Sequence, residues 1–198
     1  MILWVIDLYS TDKIINFISM NKISFIFFLF FSNILCSQIA FEDVASYIGV
    51  DYSYGDSEYG GGVSFADFNN DGWDDITYAS EDGAQVYFFK NNNGVYNLVT
   101  LNGISNTYKT KQVIWIDYDN DGDKDLFATA IEGINQFYRN DGDMSFTNIS
   151  STIGFFQTDL FTYGASFGDI DNDGDLDVFI SNRTNTEENQ RNYLYRND

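Results

Sequence analysis

Three times the same nine-residue pattern returns in this chain, at residues 67–75 (DFNNDGWDD), 117–125 (DYDNDGDKD) and 169–177 (DIDNDGDLD), with starts about 50 residues apart. Such a period marks a repeat array, in which each unit must stack on its neighbours to bury an apolar face. Each pattern lies between two alternating apolar segments: VSFADF and ITYAS, VIWIDY and LFATA, ASFGDI and VFIS. Their composition and period of two predict strands, so the pattern joins two strands. Further on, FFKNNNGVYN, FYRNDGDMSFTN and the terminal LYRND align as a third strand and a Gly/Asn turn. FEDVASYIGV, YNLVTLNGIS and FTNISSTIGF align as the beginnings of the units. The chain therefore reads as all-β, in units of about 41–95, 96–145 and 146–198.

The pattern itself has the chemistry of a metal loop. In the second copy, Asp117, Asp119, Asp121 and Asp125 stand at positions 1, 3, 5 and 9. Gly122 at position 6 admits φ > 0, so the backbone can fold around an ion, and Asp123 at position 7 offers its carbonyl. Four carboxylates this close repel one another, and a hard cation taking about six to eight oxygens holds them together. Calcium is the expected ion. The same reading gives Asp169, Asp171, Asp173 and Asp177 with the carbonyl of Asp175 in the third loop. In the first it gives Asp67, Asn69, Asp71 and Asp75 with the carbonyl of Trp73. An EF-hand would need an acidic residue at position 12 and flanking helices, yet position 12 is Tyr78, Ala128 or Ile180 in strand-like sequence. A solvated acidic turn without metal is the alternative for one isolated loop; three copies with glycine at the same place argue against it.

Composition narrows the function classes. At 198 residues with 18% aromatics and no proline, the chain can bury a sizeable core. Its formal charge is −20, and fourteen of its 30 acidic residues fall inside the three loops. A nucleic-acid partner needs a basic face, which this composition lacks. There is no histidine, no G-x-S-x-G, no P-loop and no G-x-G-x-x-G after a strand, so no enzyme is expected. Carboxylate pairs serve glycosidases, but here every clustered aspartate sits in a repeated loop, which argues for structure rather than one catalytic centre.

The N-terminus carries targeting logic. Residues 23–35 (ISFIFFLFFSNIL) form a 13-residue apolar run, the length of a signal-peptide core and short of the about 20 residues a spanning helix needs. Met20-Asn-Lys22 supplies a positive lead, whereas residues 1–19 carry Asp7 and Asp12 and read as a spurious extension, with Met20 as the true start. A signal peptide over 20–37, helical and cleaved between Ser37 and Gln38, is the expectation; an uncleaved anchor and a lipid-modified Cys36 are the alternatives. Cleavage there leaves no cysteine and no disulfide, so stability must come from core burial, sheet pairing and metal.

The unit of apolar strand, D-x-(D/N)-x-D-G-x-x-D, apolar strand and (L/F)Y-(R/K)-N resembles the FG-GAP/VCBS repeat. The flanking F-x-(D/N)-(V/I) is similar to a secreted bacterial branch related to cartilage acidic protein and the ASPIC/UnbV proteins. The resemblance covers residues 41–198 and implies blades of an integrin-α-like β-propeller, with calcium in the loop between the first two strands of each blade. Two departures stand out: Asn69 and Trp73 in the first loop, and an end at Asp198 in mid-unit, with the ASPIC/UnbV segment not seen. The chain is thus expected to be a fragment of about three blades from a ring of about seven. The implied role is a secreted or cell-surface adhesion module binding a protein or glycan, meeting the membrane only through its signal peptide. The alternative is the scaffold of a secreted hydrolase whose catalytic portion lies elsewhere.

Overall fold

The computed structural model describes residues 40–55, 61–155, 160–183 and 191–198. The expected extension at 1–19, the signal peptide at 20–37 and its cleavage point lie outside the described residues. From Val44 onward the chain is one compact unit built almost wholly of antiparallel strands.

Each repeat becomes a hairpin closed at the same place. β1 (Val63–Ala66) pairs with β2 (Asp75–Tyr78) up to Ala66↔Asp75. β3 (Tyr87–Asn92) and β4 (Val95–Val99) follow, completing a four-stranded sheet in the order β1-β2-β3-β4. β5 (Lys109–Ile116) and β6 (Asp125–Gly133) close at Ile116↔Asp125 and continue into β7 (Gln136–Asn140) and β8 (Phe146–Asn148). β9 (Leu160–Gly168) and β10 (Asp177–Asn182) close at Gly168↔Asp177, with β11 (Tyr193–Tyr195) beyond. The second and third blades form one seven-stranded sheet because Ile131 and Gly133 of β6 meet Phe161 and Leu160 of β9. The innermost strands neighbour one another, β5 lying beside both β1 and β9. These are blades of a partial β-propeller.

Face-to-face stacking explains why β6, in the middle blade, is buried on both sides. In β6, Leu126 and Ala128 join a cluster with Phe68, Phe88, Trp115, Tyr138 and Phe146 between the first and second blades. Phe127, the residue between them, faces the other way into a cluster with Phe137, Val178 and Ile180 of the second and third blades. Burial of each such side chain is worth about 2 kcal/mol, so the interfaces supply much of the stability. The interface also carries direction: Trp115 Nε1 donates to Thr77 Oγ1 at 2.8 Å across the first junction.

The repeat in the sequence and the blade in space are offset by one strand. YNLV and FTN, which begin sequence units, are the outermost strands β4 and β8 of the preceding blades. FEDVASYIGV, which aligns with them, is not a strand: it contains α1 (Ala45–Ile48), ended by Gly49 at φ 89°. A strand of this kind needs a third strand to pair with, and among the described residues none precedes it. Ala45, Ile48 and Val50 instead cover Ile76 and Phe89 on the first blade's outer face.

Candidate metal centres in the hairpin loops

The loops between the first two strands of each blade share one hydrogen-bond scheme. The carboxylate at position 1 accepts the backbone N–H groups of positions 5 and 6: Asp67 from Asp71 and Gly72 (3.0 and 2.7 Å), Asp117 from Asp121 and Gly122 (3.1 and 3.0 Å), Asp169 from Asp173 and Gly174 (3.2 and 3.0 Å). Position 5 accepts the N–H of position 7, so Asp71, Asp121 and Asp173 hold Trp73, Asp123 and Asp175 at 3.0, 2.9 and 3.0 Å. Gly72, Gly122 and Gly174 take φ of 90°, 93° and 101°, and an added Cβ would meet nothing within 4 Å. The glycine is required by the backbone's hand and not by crowding.

Position 9 does more than close the loop. Asp75, Asp125 and Asp177 are buried, and each uses one oxygen for the N–H of position 2 and the other for the N–H of an asparagine at or near the end of the third strand. The pairs are Phe68 and Asn91 for Asp75, Tyr118 and Asn140 for Asp125, and Ile170 and Asn197 for Asp177. These bonds use the backbone N–H of each asparagine and so fix the strand end whatever the side chain. The side chains of Asn91 and Asn140 also donate to the position-8 carbonyls of Asp74 and Lys124. Those asparagines were legible in the sequence as a repeated letter, but not as partners of a loop some fifteen residues earlier.

The acidic groups are brought together unevenly. Oxygens of Asp117, Asp119 and Asp125 lie within 4.8 Å of one another, as do those of Asp169, Asp171 and Asp177. Position 5 stands outside both triads, and Asp173 groups instead with Asp171 and Asp198, a residue sequence reasoning did not single out. In the first loop Asn69 Nδ2 donates to Asp75 Oδ2 at 2.9 Å, and Asn69 Oδ1 is buried with no hydrogen-bond partner. Among the described residues two basic side chains reach the loops: Lys90 Nζ lies 3.2 Å from Asp71 Oδ2, and Arg196 Nη1 lies 3.5 Å from Asp171 Oδ2.

Burial and like charge set the proton affinity of the loop carboxyls. Desolvation pushes the Asp125 carboxyl up to about 6 despite its two backbone donors, and the charges of Asp119 and Asp121 add to the rise. Asp75 and Asp119 are raised as well, first by burial and then by neighbouring aspartates. A divalent ion would relieve these costs, and the donor set is all oxygen, which suits a hard cation. An orphaned buried oxygen at position 3 of the first loop fits the same ion.

Comparison with known proteins agrees with this geometry. The model of the FG-GAP-like repeat family matches residues 67–128 and again 117–180. Each match begins at position 1 of one loop and ends in the strand after the next. Cartilage acidic protein 1 of Xenopus tropicalis is 30% identical over 162 residues, covering 71% of this chain. The chain spans only 23% of that relative's length.

Proposed function

The chain belongs to the FG-GAP-like repeat family, and on that basis we propose that it is an exported, non-catalytic calcium-binding module whose blades serve adhesion to an extracellular protein or glycan. One observation carries the calcium reading: three loops repeat one backbone cage, each closed by a buried position-9 aspartate; in the second and third the carboxylates of positions 1, 3 and 9 converge, and in the first a buried amide oxygen has no partner. Asp67, Asn69, Asp71 and Asp75 would hold the first ion, Asp117, Asp119, Asp121 and Asp125 the second, and Asp169, Asp171, Asp173 and Asp177 the third. The backbone carbonyls of Trp73, Asp123 and Asp175 would complete the sets. Bound calcium would offset the cost of burial at Asp75 and Asp125, whereas Asp177 is already held below the usual carboxylate range by the N–H groups of Ile170 and Asn197 and by Arg196. The protein's own groups do the rest, since position 1 orders the turn and position 9 ties it to the third strand.

Loops of this type in extracellular modules bind with dissociation constants of about 10⁻⁴–10⁻³ M, so the sites fill outside the cell and empty inside it. Calorimetric titration of the chain with calcium should give three sites in that range; no heat up to about 10 mM calcium would overturn the reading. Export is checked by N-terminal sequencing of protein recovered from the medium, which should begin at Gln38; a mature chain retaining Met1 defeats it. Adhesion is checked on glycan and matrix-protein arrays with calcium and with a chelator, where calcium-dependent retention is expected.

A further inference from the structure

At both junctions between blades, the fourth residue of one loop reaches across to the next loop. Asn70 Nδ2 donates to the Gly122 carbonyl at 3.2 Å and to Asp123 Oδ1 at 3.1 Å. One repeat later, Asn120 Nδ2 donates to the Gly174 carbonyl at 3.4 Å and to Asp175 Oδ1 at 2.9 Å. The donors share a left-handed backbone, φ 57° and 60°, which asparagine tolerates better than most residues and which aims the amide away from its own loop. Between the first two loops lies a cleft of about 380 Å³ with Asn70 and Asp123 in its lining, and these bonds bridge it.

The link explains a difference among the loops that ion binding leaves unexplained. Position 7 is expected to give calcium only its backbone carbonyl, so its side chain is free to vary. It is aspartate in the second and third loops, where an asparagine of the preceding loop donates to it, and Trp73 in the first, where among the described residues no loop precedes. The carboxylates of Asp123 and Asp175 are thus acceptors for the neighbouring blade. Holding the carbonyl of position 6 and the side chain of position 7 fixes the segment that carries the position-7 carbonyl.

We propose that Asn70 and Asn120 are positioning residues that couple the three calcium loops: each sets the affinity of the loop after its own, so that filling one site favours filling the next. By linkage the second site favours the first by the same factor. The inference rests on the calcium reading above. Partners that orient a metal's ligands typically change affinity about tenfold or more, and because these bonds are exposed the lower end is expected.

The test is calcium titration of the whole chain carrying Asn70→Gly, Asn120→Gly or Asn172→Gly. Glycine keeps the left-handed backbone and removes only the amide. Asn172, φ 62°, is the control, since among the described residues no loop follows it. Asn70→Gly and Asn120→Gly should each weaken one binding step about tenfold and flatten the titration, while Asn172→Gly changes neither. Unfolding midpoints in chelator separate positioning from bulk stability: a lowered midpoint with unchanged calcium affinity overturns the proposal. An equal effect from Asn172→Gly also overturns it, because the asparagine would then act within its own loop. Absence of any calcium binding by the unaltered chain sinks the calcium reading and this coupling together, whereas normal binding by Asn70→Gly sinks the coupling alone.

Discussion

Asp125 Oδ1 lies 2.8 Å from the backbone nitrogen of Asn140, so the residue that ends the second loop also pins the end of its blade's third strand. The bond is buried, and its counterparts join Asp75 to Asn91 and Asp177 to Asn197 at the same distance. Loop and blade are therefore one structural unit, which separates substitutions that disturb the fold from those that disturb only the ion.

Asp125→Ala should destabilise the chain even in chelator. It leaves the N–H groups of Tyr118 and Asn140 without an acceptor in a buried place, a cost of about 1–3 kcal/mol each, partly offset by removing a desolvated carboxylate. A net loss of about 2 kcal/mol is expected in urea unfolding. Asp121→Ala, which gives up an exposed bond to Asp123, should cost under about 0.5 kcal/mol in chelator. Equal losses would show that position 9 has no structural role beyond the ion.

The first site should be the weakest. It offers three carboxylates and an amide where the others offer four carboxylates, and ligand charge is one of the variables that set affinity. Lys90, 3.2 Å from Asp71, further reduces the field there, as Arg196, 3.5 Å from Asp171, does at the third, so the contrast is sharpest with the second site. Asp121→Ala and Asp173→Ala should lower the calcium-dependent part of the melting temperature more than Asp71→Ala, because ion binding stabilises only the folded state. Terbium emission that is lost in Trp73→Phe reports the first site, and Lys90→Gln should raise its affinity about two- to threefold. If Asp71→Ala abolishes the tightest step, rigidity sets the order instead of charge.

Trp115→Phe tests the junction of the first two blades. The indole packs at 5.0 Å from Phe68 and donates to the buried Thr77 hydroxyl. Losing that bond and leaving a small void should cost about 2–3 kcal/mol, read by urea unfolding with and without calcium. A change confined to the calcium-bound state would place the effect in the loops rather than the core.

Two glycines distinguish strain from collision. Gly122→Ala meets no atom but must hold φ 93°, so a cost of about 1–2 kcal/mol and weakened binding at the second site are expected. Gly103→Ala would put a Cβ 1.8 Å from the Phe146 carbonyl, beside the bridge between Asn102 and Ser145, and should lower the soluble yield of folded chain. Similar behaviour of the two would mean that backbone hand alone governs both.

Much of this protein is written in short-range order. A period of two on either side of D-x-(D/N)-x-D-G-x-x-D determines hairpin strands, glycine at position 6 determines the turn's hand, and recurrence about every 50 residues determines a stack of blades. The first two depend on neighbours within one hairpin and the third is plain repetition along the chain, so the sequence states all three directly. What the tertiary structure decided is non-local: FEDVASYIGV and YNLVTLNGIS align, yet among the described residues only the second has a strand edge to pair with; the first holds a helical turn and the second forms β4. Position 5 leaves the triads, Asp198 joins Asp173, and Asn70 reaches Asp123 across 53 residues. Such pairings arise only once blades stack, because face-to-face burial of Phe68, Trp115 and Phe127 sets which loops stand side by side.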